Sequence, residues 1–405
     1  RIEFMRFWLY ITLLVAYFTP HAMTQVDVEQ ALKARYSFDA CDATDDTGNN
    51  SNGEIEGAQC QCGVQGESLF FDGVDDYIQF QGNINEYFKA NNFTISFYFK
   101  PSTSSPNTVL LSKYESCSDE TGLIIRYGHG GNIAVTLKGL SGVENRLHAT
   151  LKSESCWIHL ALVRRGSAIE LYENGELIGT HDNNVRNTDI TSSSPLTLGK
   201  GLCSTSLDKP FRGNIDELAI YNQPLTALQI QRLLIPVDQI STPDTVVAIG
   251  DKFFPALTHT CAPNVNWSPS SVFSPSGEVT LNESTTLIAE FNHGNCIAID
   301  SIRVRVVNSD EIECADIPMP RAFTPNGDGL NDSYFITLPG AIDQLIAFEI
   351  YNTWNERIFY SNDPQAAWDG TFDGKILNPG GFLYKIRYTC MGREYVITGE
   401  FLLLN

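Results

Sequence analysis

The sequence is poor in positive charge. Lys and Arg number 27 against 48 Asp and Glu, so the formal net charge is -21 at pH 7. Phosphate repels a surface of that sign, which argues against nucleic acid and anionic membranes as partners. The same excess of carboxylates suits Ca2+, because this cation takes oxygen ligands. For most of these charges, however, the simpler explanation is an acidic surface that keeps the protein soluble.

Long hydrophobic runs are also scarce. Phe7–Phe18 is apolar but too short to span a bilayer, and it has Arg6 before it and Ala22-Met23-Thr24 after it. This is the pattern of a secretory signal peptide. We expect residues 1–25 to comprise this signal with a few residues upstream of a start at Met5; an uncleaved anchor is the alternative. No second run of spanning length follows, so the mature chain is predicted to have no transmembrane segment.

Familiar catalytic signatures are missing. The sequence contains no Gly-x-Ser-x-Gly elbow, no His-Glu-x-x-His motif and no Glu-x-Asp-x-x-Glu strand of the glucanase type. Asp216 and Glu217 are adjacent, but successive residues of a strand face opposite sides, so they are predicted not to act as a pair. We therefore expect a protein that is not an enzyme; a secreted glycan-processing enzyme with an unrecognised site is the alternative.

Strand patterns run through most of the chain and predict an all-β protein. Phe93–Lys100 alternates with period two, and Trp157–Val163 is a nearly continuous apolar strand. Asn174-Gly175 separates two strands and favours a type I′ hairpin. A short helix is expected after Thr226, which forms a capping-box pattern with Gln229.

Several motifs of the first half are similar to one known family. They are Phe71-Asp72-Gly73 with Asp75-Asp76-Tyr77, Trp157 with His159, Tyr172 with Asn174-Gly175, and Gly213-Asn-Ile-Asp216-Glu217 running to Tyr221. Residues 26–235 resemble the laminin G-like, concanavalin A-like jelly-roll domain of secreted bacterial proteins. The resemblance implies a β-sandwich, but members of this fold include lectins, adhesion domains and glucanases, so it does not decide the function.

Two smaller β units are expected after the jelly roll. Residues 236–312 contain the strand pattern Asp244–Ile249 and the turn Trp267-Ser-Pro269. They resemble the immunoglobulin-like, PKD-type repeats that serve as spacers; a second ligand-binding domain is the alternative. Residues 313–405 carry Phe323–Asp332, Trp354-Asn-Glu356, Trp368-Asp-Gly370 and Pro379–Tyr384. They resemble the gliding-motility-associated C-terminal domain, the type B sorting domain of type IX secretion. This implies the type IX secretion machinery as a partner and a secreted or cell-surface location.

A calcium site is predicted at one edge of the jelly roll. Asp39 and Asp216 lie on what should be its first and last strands, which can be neighbours in this fold. Related folds hold a structural Ca2+ near this edge through carboxylate and backbone carbonyl oxygens. The alternative is that Asp216 caps a turn and that Asp39 is solvated. The acidic turn Asp75-Asp76 is interpreted as a hairpin turn whose side chains bond the backbone.

The Tyr127-Gly-His-Gly-Gly131 loop is the predicted rim of a ligand site. Loops carry recognition, and glycines allow a ligand to approach the backbone. Tyr127 and His129 are the side chains of this loop that we expect to touch a ligand.

The ten cysteines are expected to form disulfides, because an exported chain leaves the reducing cytoplasm. Six fall in the jelly roll: Cys41, Cys60, Cys62, Cys117, Cys156 and Cys203. Cys41 is expected to pair with Cys60 or Cys62, and Cys117 with Cys203 or Cys156. Cys261 is expected to pair with Cys296, and Cys314 with Cys390.

Together these observations predict an exported binding or adhesion protein. Its jelly roll would recognise a glycan or a cell-surface or matrix protein, and the C-terminal domain would deliver it. Besides the enzyme, a structural matrix protein without a discrete ligand is a further alternative.

Overall fold

The structure is a computed structural model, and it describes most of the chain after residue 27. The described residues are 28–89, 92–102, 107–114, 121–139, 144–152, 155–182, 190, 194–202, 208–308, 314, 317–326, 331–337, 339 and 342–404. Strands dominate them, and the helices are few and short. The predicted all-β class is therefore confirmed.

A β-sandwich occupies the first half of the described chain, and we call it the sandwich. It begins with α1 (Val28–Ala31), ends with α2 (Ala227–Gln231), and has sixteen strands between them in its described residues. The strands are β1 (Leu32–Tyr36), β2 (Gly53–Glu56), β3 (Gln59–Cys62), β4 (Glu67–Asp72), β5 (Tyr77–Phe80), β6 (Asn92–Pro101), β7 (Thr108–Ser112), β8 (Gly122–Gly128), β9 (Asn132–Lys138), β10 (Glu144–Thr150), β11 (Ile158–Arg165), β12 (Ala168–Glu173), β13 (Glu176–Asp182), β14 (Leu196–Leu198), β15 (Lys209–Pro210) and β16 (Arg212–Tyr221).

The strands form two eight-stranded sheets. The first has the order β13-β12-β11-β6-β16-β4-β3, with β1 also paired to β16. The second has the order β10-β9-β8-β7-β14-β5-β2, with β15 added in parallel to β7. Neighbours are often distant in sequence, as where β6 lies between β11 and β16. Such crossovers are typical of jelly-roll sandwiches.

The main core lies between the two sheets. Phe99 of β6 contacts Phe211 at 6.2 Å and Tyr127 at 5.6 Å between ring centroids, and Leu160 and Val135 are buried in the same cluster. Full burial of one such side chain stabilises the fold by about 1.5–3 kcal/mol. Alternating apolar residues supply this cluster from both sheets, as the period-two pattern predicted.

The outer face of the first sheet is buried as well, because the chain after β16 folds back over it. Thr226 caps α2, and both bonds of the predicted capping box with Gln229 are present. Ile230 of this helix lies in a buried cluster with Val163 and Tyr172 from the outer face of the sheet.

The segment that follows α2 continues this cover. Ile235 and Val237 pack against the buried side chains of Tyr98 and Trp157. The Ile235 N–H also donates to the Tyr98 hydroxyl at 2.7 Å. The connection out of the sandwich is thus part of its packing rather than a free linker.

A second set of strands forms the middle unit. It consists of β17 (Thr245–Ala248), β18 (Lys252–Phe253), β19 (Asn264–Ser268), β20 (Val279–Thr280), β21 (Thr285–Asn292) and β22 (Ile297–Val307). Four of them make a sheet in the order β17-β22-β21-β19, and β18 pairs with β20. Leu287, Phe291 and Val304 are buried in its core.

The last strands form the C-terminal unit. They are β23 (Ala322–Phe323), β24 (Tyr334–Phe335), β25 (Gln344–Tyr351), β26 (Arg357–Ser361), β27 (Ala367–Trp368), β28 (Thr371–Phe372), β29 (Lys375–Ile376), β30 (Gly380–Cys390) and β31 (Arg393–Leu403). Its main sheet has the order β23-β31-β30-β25-β26. Tyr334 stacks on Phe401 with ring centroids 3.6 Å apart, in a core that also contains Trp368.

Four disulfides lie in the described residues. Cys41–Cys60 closes a polar loop of the sandwich, and Cys314–Cys390 lies in the C-terminal unit; both pairs were among those predicted. The other two, Cys62–Cys261 and Cys156–Cys296, join the sandwich to the middle unit. Their Cα atoms are 5.8 Å apart in each case, within the usual range for a disulfide.

Two pairing predictions are therefore wrong. Cys261 bonds Cys62 of the sandwich rather than Cys296. Cys156 of the sandwich bonds Cys296 rather than Cys117. The reason is packing between units: the Cys156 side chain is buried within the core of the middle unit. Cys117 and Cys203 lie outside the described residues.

Peptide mapping tests the two connections between units. Digestion of the unreduced protein should release Cys62 linked to Cys261 and Cys156 linked to Cys296. The Cys62→Ser/Cys261→Ser variant should lose about 4–5 kcal/mol of unfolding free energy, because this bond closes a separation of 199 residues. The matched Cys41→Ser/Cys60→Ser variant should lose less, about 3 kcal/mol, because that bond spans 19 residues. A peptide joining Cys261 to Cys296 would contradict the structure.

Candidate functional site

Asp216 and Glu217 lie in a bulge of β16. The pairing of β16 with β6 shifts between Asp216 and Ala219, and Glu217 has a φ of 49°. The flanking residues Ile215 and Leu218 both belong to the core between the sheets, so the two acids share the outer side. The prediction that they face opposite sides is wrong, because a bulge inserts one residue and breaks the alternation of a strand.

The Asp216 carboxylate holds the turn between β3 and β4. Its Oδ2 accepts from the Val64 N–H at 2.7 Å, and its Oδ1 accepts from the Glu217 N–H at 2.8 Å. Gly63 stands so close that a Cβ there would collide with Oδ2. The side chain is fully buried, and glycine at position 63 makes room for it.

Asp39 binds the other end of the same turn. Its Oδ1 accepts from the Glu67 N–H at 3.1 Å and lies where a Cβ on Gly66 would be. Within the turn, the Gly63 N–H donates to the Gly66 carbonyl at 2.9 Å. The structure therefore brings both predicted metal residues to one short turn, with Asp216 buried and Asp39 exposed.

Burial makes this corner costly for negative charge. Desolvation raises the pKa of Asp216 to about 8; the backbone bonds from Val64 and Glu217 oppose the shift, and the charges of Glu217 and Asp39 add to it. Desolvation also raises the pKa of Glu217, against the opposing effect of Arg35, which is paired with it at 2.9 Å. Glu217 thus has a cationic partner, whereas Asp216 is held by backbone N–H groups.

Of the two residues predicted at the rim of a ligand site, Tyr127 is buried and His129 is exposed. The Tyr127 ring is 8% exposed and packs edge-on against Phe99 in the core, so it cannot touch a ligand from the rim. The reason is strand alternation, which turns Tyr127 of β8 inward. His129 is exposed on the short 3₁₀ turn His129–Gly131, where its carbonyl accepts from the Asn132 Nδ2 at 2.7 Å.

His129 stands at the end of an open polar surface on the second sheet. On β10, Leu147 and Ala149 point to the core, whereas Arg146, His148 and Thr150 are exposed. The exposed residues pair in register with the outward residues of β9. We call this surface the polar face, and it consists of His129, Asn132, Ala134, Thr136, Arg146, His148 and Thr150.

The polar face is built from cross-strand pairs of β9 and β10. Arg146 lies opposite Thr136, His148 opposite Ala134, and Thr150 donates to the Asn132 Oδ1 at 3.1 Å. The small Ala134 leaves space between the longer side chains. Sequence analysis missed this surface, although the alternation of Leu147, His148 and Ala149 is a signal for an open face.

The opposite side of the sandwich contrasts with the polar face. His159 and Tyr98 lie there beneath the cover, and His159 is 1% exposed. Its Nε2 is 2.7 Å from the Ser96 hydroxyl, and burial lowers its pKa to about 3. This imidazole is neutral and structural.

Two family models match parts of the sequence. Residues 72–231 match the family model of the concanavalin A-like lectin/glucanases superfamily. Residues 317–402 match that of the CHU_C type IX secretion signal domain. The two matches confirm the jelly-roll domain and the sorting domain that the motifs predicted, and the secretion signal indicates export to the cell surface or the extracellular space by the type IX machinery.

Solved structures give distant similarities. Domain 4 of the GH43 extracellular arabinanase AbnA of Geobacillus stearothermophilus, in complex with arabinotriose, is 23% identical over 50% of this chain and 97% of that one (TM-score 0.41). The Ruminococcus gnavus IT-sialidase CBM40 is 19% identical over 40% and 94% (0.35). The botulinum neurotoxin serotype D binding domain is 13% identical over 67% and 74% (0.43). At these scores the similarities assign no ligand.

No curated protein matches the sequence. Among the described residues, no helix has the length and apolar character that a membrane crossing requires.

The buried acid at position 216 should make stability depend on pH. In the folded chain its pKa is about 8, above the value of about 3.9 for an unfolded Asp, so the folded state binds the proton more tightly. In chelator, this contribution is complete below pH 4 and is lost as the pH rises to 8. Asp216→Asn should flatten that decline and cost about 1–3 kcal/mol for a lost buried hydrogen bond. Urea unfolding at several pH values measures both; an unchanged pH slope would count against the assignment.

Proposed function

We propose that the chain is an exported binding protein whose sandwich recognises a carbohydrate, or failing that a protein, on the polar face. The observation that carries this proposal is the difference between the two outer surfaces of the sandwich. One is covered by α2 and the segment 235–237, whereas the other presents exposed hydrogen-bonding groups. Sugar hydroxyls both donate and accept, so Asn132, the half-buried Thr136 and Arg146, which is also paired with Glu144, suit such a ligand.

The bulge of β16 supports binding rather than catalysis. A glycosidase needs two carboxyl groups free to reach the scissile bond, one as acid and the other as base or nucleophile. Here the Asp216 oxygens accept two backbone N–H groups, and Glu217 is paired with Arg35. These two acids are engaged in holding the sandwich together.

The proposed organisation has three parts with different tasks. Residues 26–235 bind the ligand, residues 236–312 act as the spacer, and residues 313–405 carry the export signal. Two disulfides join the first two parts, so the spacer would restrict the orientations in which the sandwich is presented.

We further propose that Asp39 and Asp216 hold a structural Ca2+ beside the turn between β3 and β4. The donor set is made of oxygen, which is the chemistry that this cation takes. Support comes from the fully buried Asp216, whose oxygens otherwise meet only neutral N–H donors in the described bonds. A cation would supply the charge compensation that a proton otherwise supplies, and would stabilise this edge of the sandwich.

Binding by the polar face is tested on the full mature chain, because a fragment ending at residue 235 would leave Cys62 and Cys156 without their partners. A glycan array identifies the ligand, and titration calorimetry then compares variants. Arg146→Ala/His148→Ala should weaken binding at least tenfold, as expected for losing about 1.5–3 kcal/mol from a hydrogen bond to a charged group. The control Arg393→Ala, an exposed Arg of the C-terminal unit, should bind normally.

Unchanged affinity in the double variant would refute the polar face as the site. Absence of binding to every glycan would contradict a carbohydrate ligand. Binding of surface proteins to the same two variants would then be measured.

Calcium should raise the melting temperature more at pH 8 than at pH 5, because Ca2+ competes with a proton for Asp216. Asp216→Asn should abolish the increase. Asp75→Asn is the matched control, since Asp72, Asp75 and Asp76 form a separate acidic turn with oxygens within 4.8 Å of one another. An increase lost in Asp75→Asn but kept in Asp216→Asn would move the metal to that turn.

A further inference from the structure

The C-terminal unit exposes much of its apolar surface. Of the 14 large exposed hydrophobic side chains in the described residues, seven lie between residues 354 and 404. Trp354 is the most exposed of them at 88%. Exposed apolar residues mark an interaction surface when they form a contiguous patch, and Trp is among the residues that dominate binding energy in protein interfaces.

Trp354 is held out into solvent by a rigid turn. It lies at the tip of the hairpin between β25 and β26, where Asn352 Oδ1 accepts from the N–H groups of both Trp354 and Glu356 at 3.0 Å. Asn352 Nδ2 donates to the Glu356 carboxylate at 2.9 Å, and the two backbones are paired as well. The fold therefore specifies the position of an indole that it does not use in its own core.

A shallow cleft of about 620 Å³ begins at the base of this hairpin. Tyr351 and Leu383 lie opposite each other on β25 and β30, and Leu383 lies opposite Glu400 on β31. Lys385 lines the same cleft, and Asn355 joins it to the Trp354 turn. Apolar walls with one cation and one anion at the edge resemble the centre and rim of a protein interface.

We propose that Trp354 and the Tyr351–Leu383 cleft form the surface by which a protein of the type IX secretion machinery binds this unit. The inference rests on the proposed function, in which residues 313–405 are the export signal. A signal read in the folded state needs a specific contact surface, and this is where the unit combines a rigid aromatic anchor with a cleft. The fitting partner has an apolar pocket for the indole and charged groups that complement Lys385 and Glu400.

The test is export of the full chain in a bacterium with a type IX system, measured by surface protease digestion and cell fractionation. Trp354→Ala and, separately, Leu383→Glu should lower the surface fraction at least tenfold and raise the periplasmic fraction. Trp354→Phe should retain most export. Met391→Ala is the matched control, since this side chain is 73% exposed at the turn between β30 and β31, away from the hairpin of Trp354.

Thermal melting of each purified variant separates folding from recognition, and Trp354→Ala should leave the melting temperature unchanged because its side chain is exposed. Normal export of both Trp354→Ala and Leu383→Glu would overturn the inference, provided that deletion of residues 314–405 still blocks export. Normal export of the deletion variant would instead overturn the proposed function. An equal loss in Met391→Ala would also refute this surface, because the effect would not be local.

Discussion

The two disulfides between the sandwich and the middle unit are the constraint on which the rest of the structure depends. They join the middle unit to the sandwich, and the connecting segment 235–237 lies over Tyr98 and Trp157. With that cover in place, the outer face of the first sheet is an interior, and a neutral His159 belongs there. The second sheet keeps an open side, and the proposed recognition surface lies there. Of the two outer surfaces, the polar face is therefore the one left open for the proposed ligand.

The bulge at Asp216 shows a second constraint, which is the free-energy cost of burying a negative charge. Two adjacent acids point to the same side, and each is compensated differently: Glu217 by Arg35, Asp216 by backbone donors. Any species that neutralises Asp216, whether a proton or a cation, therefore stabilises this site. The turn between β3 and β4 depends on the same carboxylate, so electrostatics and local shape are coupled at this edge.

Much of the fold could be predicted because its signals are local. The alternation of Phe93–Lys100, the capping box at Thr226 and the strand pattern of Trp157–Val163 all appear in the structure. The failures concern contacts between distant residues. Cysteines carry no record of their partner's position, so Cys261 was assigned to the nearer Cys296. A bulge is a property of pairing with a neighbour, and β16 alone does not reveal it. The exposure of Trp354 likewise depends on packing that composition does not encode.

The disulfide between Cys156 and Cys296 also determines how the molecule would carry a pulling force. A load applied between the proposed ligand surface on β9 and β10 and the C-terminal unit would reach Cys156 and pass directly to Cys296. The 139 residues between these cysteines lie inside a closed covalent loop, since the sequence separation is 140. Tension does not pass through these residues, so they cannot be extended while the disulfide is intact. The short stretch from β10 to Cys156 and strand β22 would bear the load instead, so the covalent path from the proposed ligand surface to the C-terminal unit is short.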